Sequence, residues 1–132
     1  VCAVDVLPVQ GVQGVTVVQG DLRAPEVRRS LQDLVGPAGA DVVLSDMAPN
    51  LSGIAAVDQA RAVELAELAL EVAVTCLRRG GTFLVKVFQG EGLEGYVATV
   101  RRAFADVERR KPGASRAHSR ELYVLARGFG GV

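Results

Sequence analysis

The chain has 132 residues, 49% of them hydrophobic, which is enough for one domain with a real core. No apolar run approaches the ~18–20 residues of a membrane span, no basic leader marks Val1–Val9 as a signal peptide, and a single histidine, His118, leaves a zinc site almost without ligands. Formal net charge is zero, yet residues 101–132 hold eight Arg and Lys against three acids, while residues 1–60 hold three Arg against seven acids, a skew that fits either a polyanionic partner or a solvated basic face.

Residues Val1–Asp5 read as a strand ending in an acid, and Val15–Val18 as a second β-branched strand leading to Gly20-Asp21. Pro25 with Glu26 opens a helix through about Val35, with Val27, Leu31, Leu34 and Val35 on one face and Gly36-Pro37 closing it. Val42–Leu44 predicts a buried parallel strand that stops at Ser45-Asp46, and Pro49 forbids its continuation. The longest helix is expected over about Val57–Arg79. Val63, Ala66, Leu70, Ala73 and Leu77 line its inner stripe, and Gly80-Gly81 ends it. Thr82–Phe88 predicts a strand that is apolar on both faces except at Lys86. A helix over about Leu93–Phe104 turns Tyr96, Val97, Val100 and Phe104 inward. A short strand at Val107–Arg110, a basic loop at Lys111–Arg120 and a last strand at Glu121–Ala126 complete the chain. Alternating strands and helices give an α/β class with a mostly parallel sheet. Cys2 and Cys76 lack CxxC spacing and sit in apolar surroundings, so they read as free thiols suited to a reducing cytoplasm.

Three charged groups interrupt apolar strands: Asp46 at a strand end, Lys86 within a strand and Glu121 at a strand start. In an open α/β sheet, ligands sit beyond the carboxyl ends of the strands, which is where Asp46 lies; a turn-capping Asp is the plain alternative. Lys86 is costly among Phe83, Leu84, Val85, Val87 and Phe88 unless it is paired or used, or snorkels at an edge. Glu121 reads either as a member of the same cluster or as an ion-pair partner of Arg120 or Lys86. Asp5 and Asp21, each following a strand, are placed to accept hydrogen bonds from a nucleotide or to cap turns.

Ser45-Asp46-Met47-Ala48-Pro49-Asn50-Leu51-Ser52-Gly53, Val85-Lys86-Val87-Phe88-Gln89-Gly90-Glu91-Gly92, Lys111-Pro112, Ser115-Arg116 and Ser119-Arg120-Glu121 with Tyr123 together resemble the FtsJ/RrmJ family of S-adenosylmethionine-dependent ribose 2′-O-methyltransferases. The resemblance runs in order over nearly the whole chain. It implies a Rossmann-like methyltransferase sheet with helices on both faces. Residues 1–132 would form a single, truncated domain, the C-terminal two-thirds of the family's, with the first strand and Gly-rich cofactor loop belonging upstream of Asp5. The family's catalytic tetrad is Lys-Asp-Lys-Glu; Asp46, Lys86 and Glu121 match its last three members. The resemblance also implies cofactor contacts at Asp5, Asp21 and Asp46. The implied reaction is methylation of a uridine ribose in large-subunit ribosomal RNA by a cytoplasmic monomer, with Lys86 as base.

Arg109, Arg110, Lys111, Arg116 and Arg120 are the expected contacts to RNA phosphates. The alternatives are a catalytically inactive RNA-binding or scaffold module, and a methyltransferase acting on tRNA or a messenger cap.

Overall fold

A computed structural model describes residues 2–5, 16–111 and 120–130. They fall into two compact units, Val1–Gly39 and Ala40–Val132. In the first unit, β1 (Cys2–Asp5) and β2 (Thr16–Gln19) pair in parallel with Asp5 opposite Gln19, so both strands end together. Helix α1 (Pro25–Val35) starts where expected. Proline there has a preset φ and lacks an N–H that no helical carbonyl would accept, and Glu26 sits on the positive end of the helix dipole. The Gly36 N–H closes the helix on the Gln32 carbonyl at 2.9 Å. Leu31 is buried, whereas Leu34, expected on the same face, is exposed.

The second unit is a four-stranded sheet of β3 (Ala40–Ser45), β4 (Leu77–Phe88), β5 (Phe104–Arg110) and β6 (Glu121–Phe129), in the order β3-β4-β6-β5. Helix α2 (Ala55–Cys76) connects β3 to β4, and α3 (Leu93–Ala103) connects β4 to β5. The β3–β4 pair is parallel, as a helical crossover requires. β6 is antiparallel to both neighbours, so the sheet is mixed: β3, β4 and β5 run one way and β6 the other. The physical reason lies in the length of the connection: Arg110 and Glu121 are eleven positions apart, too close for the helical crossover that a parallel neighbour requires, whereas an antiparallel neighbour needs only a turn.

Strand alternation sorts the side chains. Phe83, Val85 and Val87 of β4 and Leu122, Val124 and Ala126 of β6 are buried against Ala66, Ala69, Leu70 and Ala73 of α2 and Leu93, Tyr96, Val97 and Val100 of α3. Alanines along α2 let its backbone lie close to the sheet. The Tyr96 hydroxyl donates to the Ala66 carbonyl at 2.8 Å, which ties α3 to α2 and satisfies a phenol that burial would otherwise penalise. Phe104 stacks on Phe83 at 6.0 Å between ring centroids and meets Phe129 at 5.4 Å.

Both helices of this unit pack on that one face, so within the unit the expected cover on two faces is not seen. The other face is more open. There β3 is an edge strand with Leu44 70% exposed and Val42 also exposed, so it is parallel but not buried as expected. A second correction concerns α2, which ends at Cys76 rather than near Arg79. Leu77 is already extended, Arg78 and Arg79 belong to β4, and Arg78 pairs with Asp41 of β3. Gly80-Gly81 therefore lies inside a strand. The ladder slips there, from Ala40 opposite Leu77 to Val42 opposite Thr82, and a Cβ on Gly81 would meet the Arg78 carbonyl at 2.9 Å. Among the described residues, no helix is long and apolar enough to cross a membrane.

Candidate active site at the end of strand β3

Ser45 is the last residue of β3, and Asp46 follows it out of the sheet with a side chain 71% exposed. Next to it runs β4, whose outward-facing Lys86 is 15% exposed. The Lys86 Nζ lies 2.9 Å from Asp46 Oδ1 and 3.8 Å from Glu121 Oε2, so the three groups singled out from the sequence do converge. A fourth group joins them. Tyr123 stands directly across the antiparallel ladder from Lys86, which puts both side chains on the same face, and its hydroxyl donates to Asp46 Oδ1 at 3.0 Å. Glu121 reaches that face because it lies two residues before Tyr123.

The electrostatics follow from this packing. The Lys86 ammonium holds the Asp46 carboxyl below the ordinary aspartate range, partial desolvation opposes that shift, and the Tyr123 hydroxyl reinforces it. Lys86 is held above the ordinary lysine range, chiefly by its hydrogen bond to Asp46, against desolvation and with help from Glu121. The Tyr123 phenol is raised by desolvation first and then by its bond to Asp46. At neutral pH the cluster is therefore one ammonium against two carboxylates. Its net negative charge suits a cationic ligand, and its ammonium and phenol can both hydrogen-bond an incoming hydroxyl.

The remaining candidates are placed differently. Asp5 ends β1, and Asp21 lies just past β2. The Asp21 carboxylate accepts the Arg23 N–H at 2.9 Å and lies 3.7 Å from the Arg23 guanidinium, so one of its oxygens already caps the local turn. Arg109 and Arg110 are separated by the strand's alternation. Arg109 lies opposite the fully buried Val124, on the helix side, and donates to Glu94 of α3 at 2.7 Å. Arg110 lies opposite Tyr123 on the site's own face and pairs with Glu108 at 2.6 Å. Lys111 is exposed just beyond β5, and Arg116 lies outside the described residues. Arg120 donates to the side chain of Gln59 and to the Gln89 carbonyl.

Two contributors were not among the site residues expected from the sequence. Tyr123 carried a usable signal, since a residue two positions beyond Glu121 must share its face of a strand. Gln59, on the first turns of a long helix, carried none.

The FtsJ-like methyltransferase family matches residues 1–129. The ribosomal RNA large subunit methyltransferase E of Alkalilimnicola ehrlichii is 53% identical over 130 residues, and the alignment covers 98% of this chain and 62% of that protein. The chain thus spans less than two thirds of that relative's length. Among solved structures, a ribosomal RNA methyltransferase from Plasmodium falciparum superposes with a TM-score of 0.84 at 22% identity, covering 98% of this chain and 71% of the other. A methyltransferase from Streptococcus mutans in complex with SAH gives a TM-score of 0.55 at 11% identity, over 97% of this chain and 70% of the other. These last two similarities concern the fold.

Proposed function

Because the chain belongs to the FtsJ-like methyltransferase family, we propose that it serves S-adenosylmethionine-dependent 2′-O-methylation of a uridine ribose in large-subunit ribosomal RNA. The observation that carries the proposal is the meeting of Lys86, Asp46, Glu121 and Tyr123 at the carboxyl end of β3. A family match that runs continuously from residue 1 to 129 supports treating both units as one methyltransferase domain.

Asp46 is the candidate contact nearest the transfer, with Asp5 and Asp21 as candidate contacts to the rest of the cofactor. Within the second unit the donor set fits such a group, because the cluster around Lys86 carries excess negative charge; within the first, β1 ends in Asp5 and Asp21 follows β2 by two residues. When bound, S-adenosylmethionine supplies a methyl group on a positively charged sulfur.

The chain's own residues do the rest. Lys86 faces the 2′-hydroxyl of the target ribose and orients it by hydrogen bonding; only after releasing its own proton to solvent, a loss that desolvation and the positive charge of the bound cofactor would favour, can its neutral amine accept the hydroxyl proton as the oxygen attacks. Asp46 and Glu121 keep Lys86 charged in the resting site, so they position it rather than activate it. Holding two reactants in line at contact distance supplies much of the acceleration such a site needs. Arg110, on the face of Lys86 and Tyr123, and the exposed Lys111 are the best-placed candidate phosphate contacts.

The test is transfer of labelled methyl from S-adenosylmethionine to large-subunit ribosomal RNA by the intact protein, with the modified nucleoside identified by mass spectrometry. A 2′-O-methyluridine is expected. A base-methylated nucleoside, or no transfer, would refute the proposal.

A further inference from the structure

Among the described residues of the second unit, Gln59 is the buried polar side chain, 6% exposed on the first turns of α2, and both ends of its amide are hydrogen-bonded. Its Nε2 donates to the Phe88 carbonyl at 3.0 Å and to the Glu91 carbonyl at 3.1 Å, and its Oε1 accepts from Arg120 Nη2 at 2.9 Å. Two carbonyls on one side and a guanidinium on the other leave the amide only one orientation. Arg120 completes the knot. Its Nε and Nη2 donate to the Gln89 carbonyl at 3.2 and 3.0 Å, while the Gln89 N–H donates to the Arg120 carbonyl at 2.8 Å. Gly90 packs against the pair so closely that a Cβ there would meet Arg120 Nη2 and Gln59 Cδ, each at 2.8 Å, with φ at +148°.

The knot stands one residue before Glu121 and starts at the end of β4, where Phe88, two residues after Lys86, faces Glu121. The Lys86–Glu121 approach of 3.8 Å is too long for a hydrogen bond, and Glu121 is 43% exposed, so the pair itself fixes little. Strand ends fray unless their backbone is tied down. We infer that Gln59 is a positioning residue for the transfer reaction: it clamps Arg120 to the β4–α3 loop and thereby sets Glu121 and Tyr123 against Lys86. Arg120, expected from the sequence to bind phosphate, acts here within the protein. The inference rests on the proposed methyltransferase reading, from which its test is separable.

Gln59→Met is the decisive variant, since it removes the hydrogen bonds at nearly constant volume, changes no charge and sits where RNA cannot reach it. At a temperature where it is folded by circular dichroism, kcat is expected to fall about tenfold or more, in line with the cost of small misplacements at a reacting centre. KM for RNA and its salt dependence should stay within about twofold, because no phosphate contact is lost. Amide exchange at Glu121–Tyr123 should accelerate about tenfold, with that of Val97 and Val100 unchanged.

Arg120→Lys, which keeps the charge but loses the planar fork, should show the same loss of kcat. Unchanged kcat in Gln59→Met, or an Arg120→Lys effect confined to KM, would overturn the inference. Should Gln59→Met not fold, Gly90→Ala pries the same contact from the loop side and is judged by the same criteria. If the wild-type protein methylates no ribosomal RNA, the proposed function fails on its own, and the exchange rates still decide the role of Gln59.

Discussion

Replacing Lys86 with methionine separates the charge at the site from the packing around it. The side chain is 15% exposed, and methionine reproduces the length of its aliphatic stem, so the apolar burial is kept. What disappears is an ion pair whose other member, Asp46, is mostly exposed; such pairs contribute up to about 1 kcal/mol. Relief of the ammonium's desolvation, which opposes its charge in the folded chain, offsets part of that. The net change in stability should therefore stay within about 1 kcal/mol, a shift in Tm of roughly 5 °C for a chain of this size. Methyl transfer should fall by at least ~100-fold, the loss typical of a missing acid–base group. The Asp46 carboxyl should titrate nearer its ordinary value, since Lys86 is the main cause of its lowering, while Tyr123 continues to hold it down. Differential scanning calorimetry, the methylation assay and a carboxylate NMR titration read these three quantities. A destabilisation beyond about 3 kcal/mol, or turnover within tenfold of wild type, would refute the assignment of Lys86 to chemistry rather than to structure.

Tyr123→Phe removes one hydrogen bond to Asp46 and should cost about 1 kcal/mol or less at this half-open position, with a further rise in the Asp46 titration, both measurable by denaturant unfolding and NMR. Arg110→Ala should weaken RNA binding and reduce the magnitude of its salt slope by about one. Arg109→Ala, on the opposite face, should leave both unchanged; equal effects would contradict the strand register. Stability should also follow pH in a defined way. Asp46 titrates below its ordinary value of 3.8, so its contribution is complete above that value and fades as pH falls through the lowered one. Lys86 titrates above its ordinary 10.5, so its contribution is complete below that value and fades as pH rises through the raised one. Unfolding free energy measured between these limits in wild type and in Asp46→Asn should differ by a constant, and the difference should shrink beyond either limit.

Much of this architecture was legible before any coordinates. Pro25 and Gly36 bracket α1 because their backbone chemistry is local, and Lys86 stood out because an ammonium inside an apolar strand needs a reason. Strand direction was not legible: Glu121–Phe129 has the same alternation whichever way it runs, and only its pairing with β4 and β5 shows the direction. The end of α2 was misjudged because Arg78, Arg79 and the two glycines satisfy both a helix terminus and a strand irregularity; pairing with Asp41 and the neighbouring β3 ladder selects the second. Arg109 and Arg110 look equivalent as a basic pair, and a single residue of register sends them to opposite faces. Gln59 was invisible for a different reason. Its partners lie 29 to 61 residues away and are mostly backbone carbonyls, which have no residue-type signature.

The two tyrosines also make the chain its own optical reporter. There is no tryptophan to mask them, so near-ultraviolet absorbance comes mainly from Tyr96 and Tyr123. Burial between α2 and α3 pushes the Tyr96 phenol far above the ordinary tyrosine range. Tyr123 is raised less and lies half open beside Lys86. In alkaline solution the folded chain should therefore develop the phenolate band of one tyrosine, and the second should appear only at higher pH or with unfolding. The midpoint of the first step would report directly on the charge around Lys86, without a label.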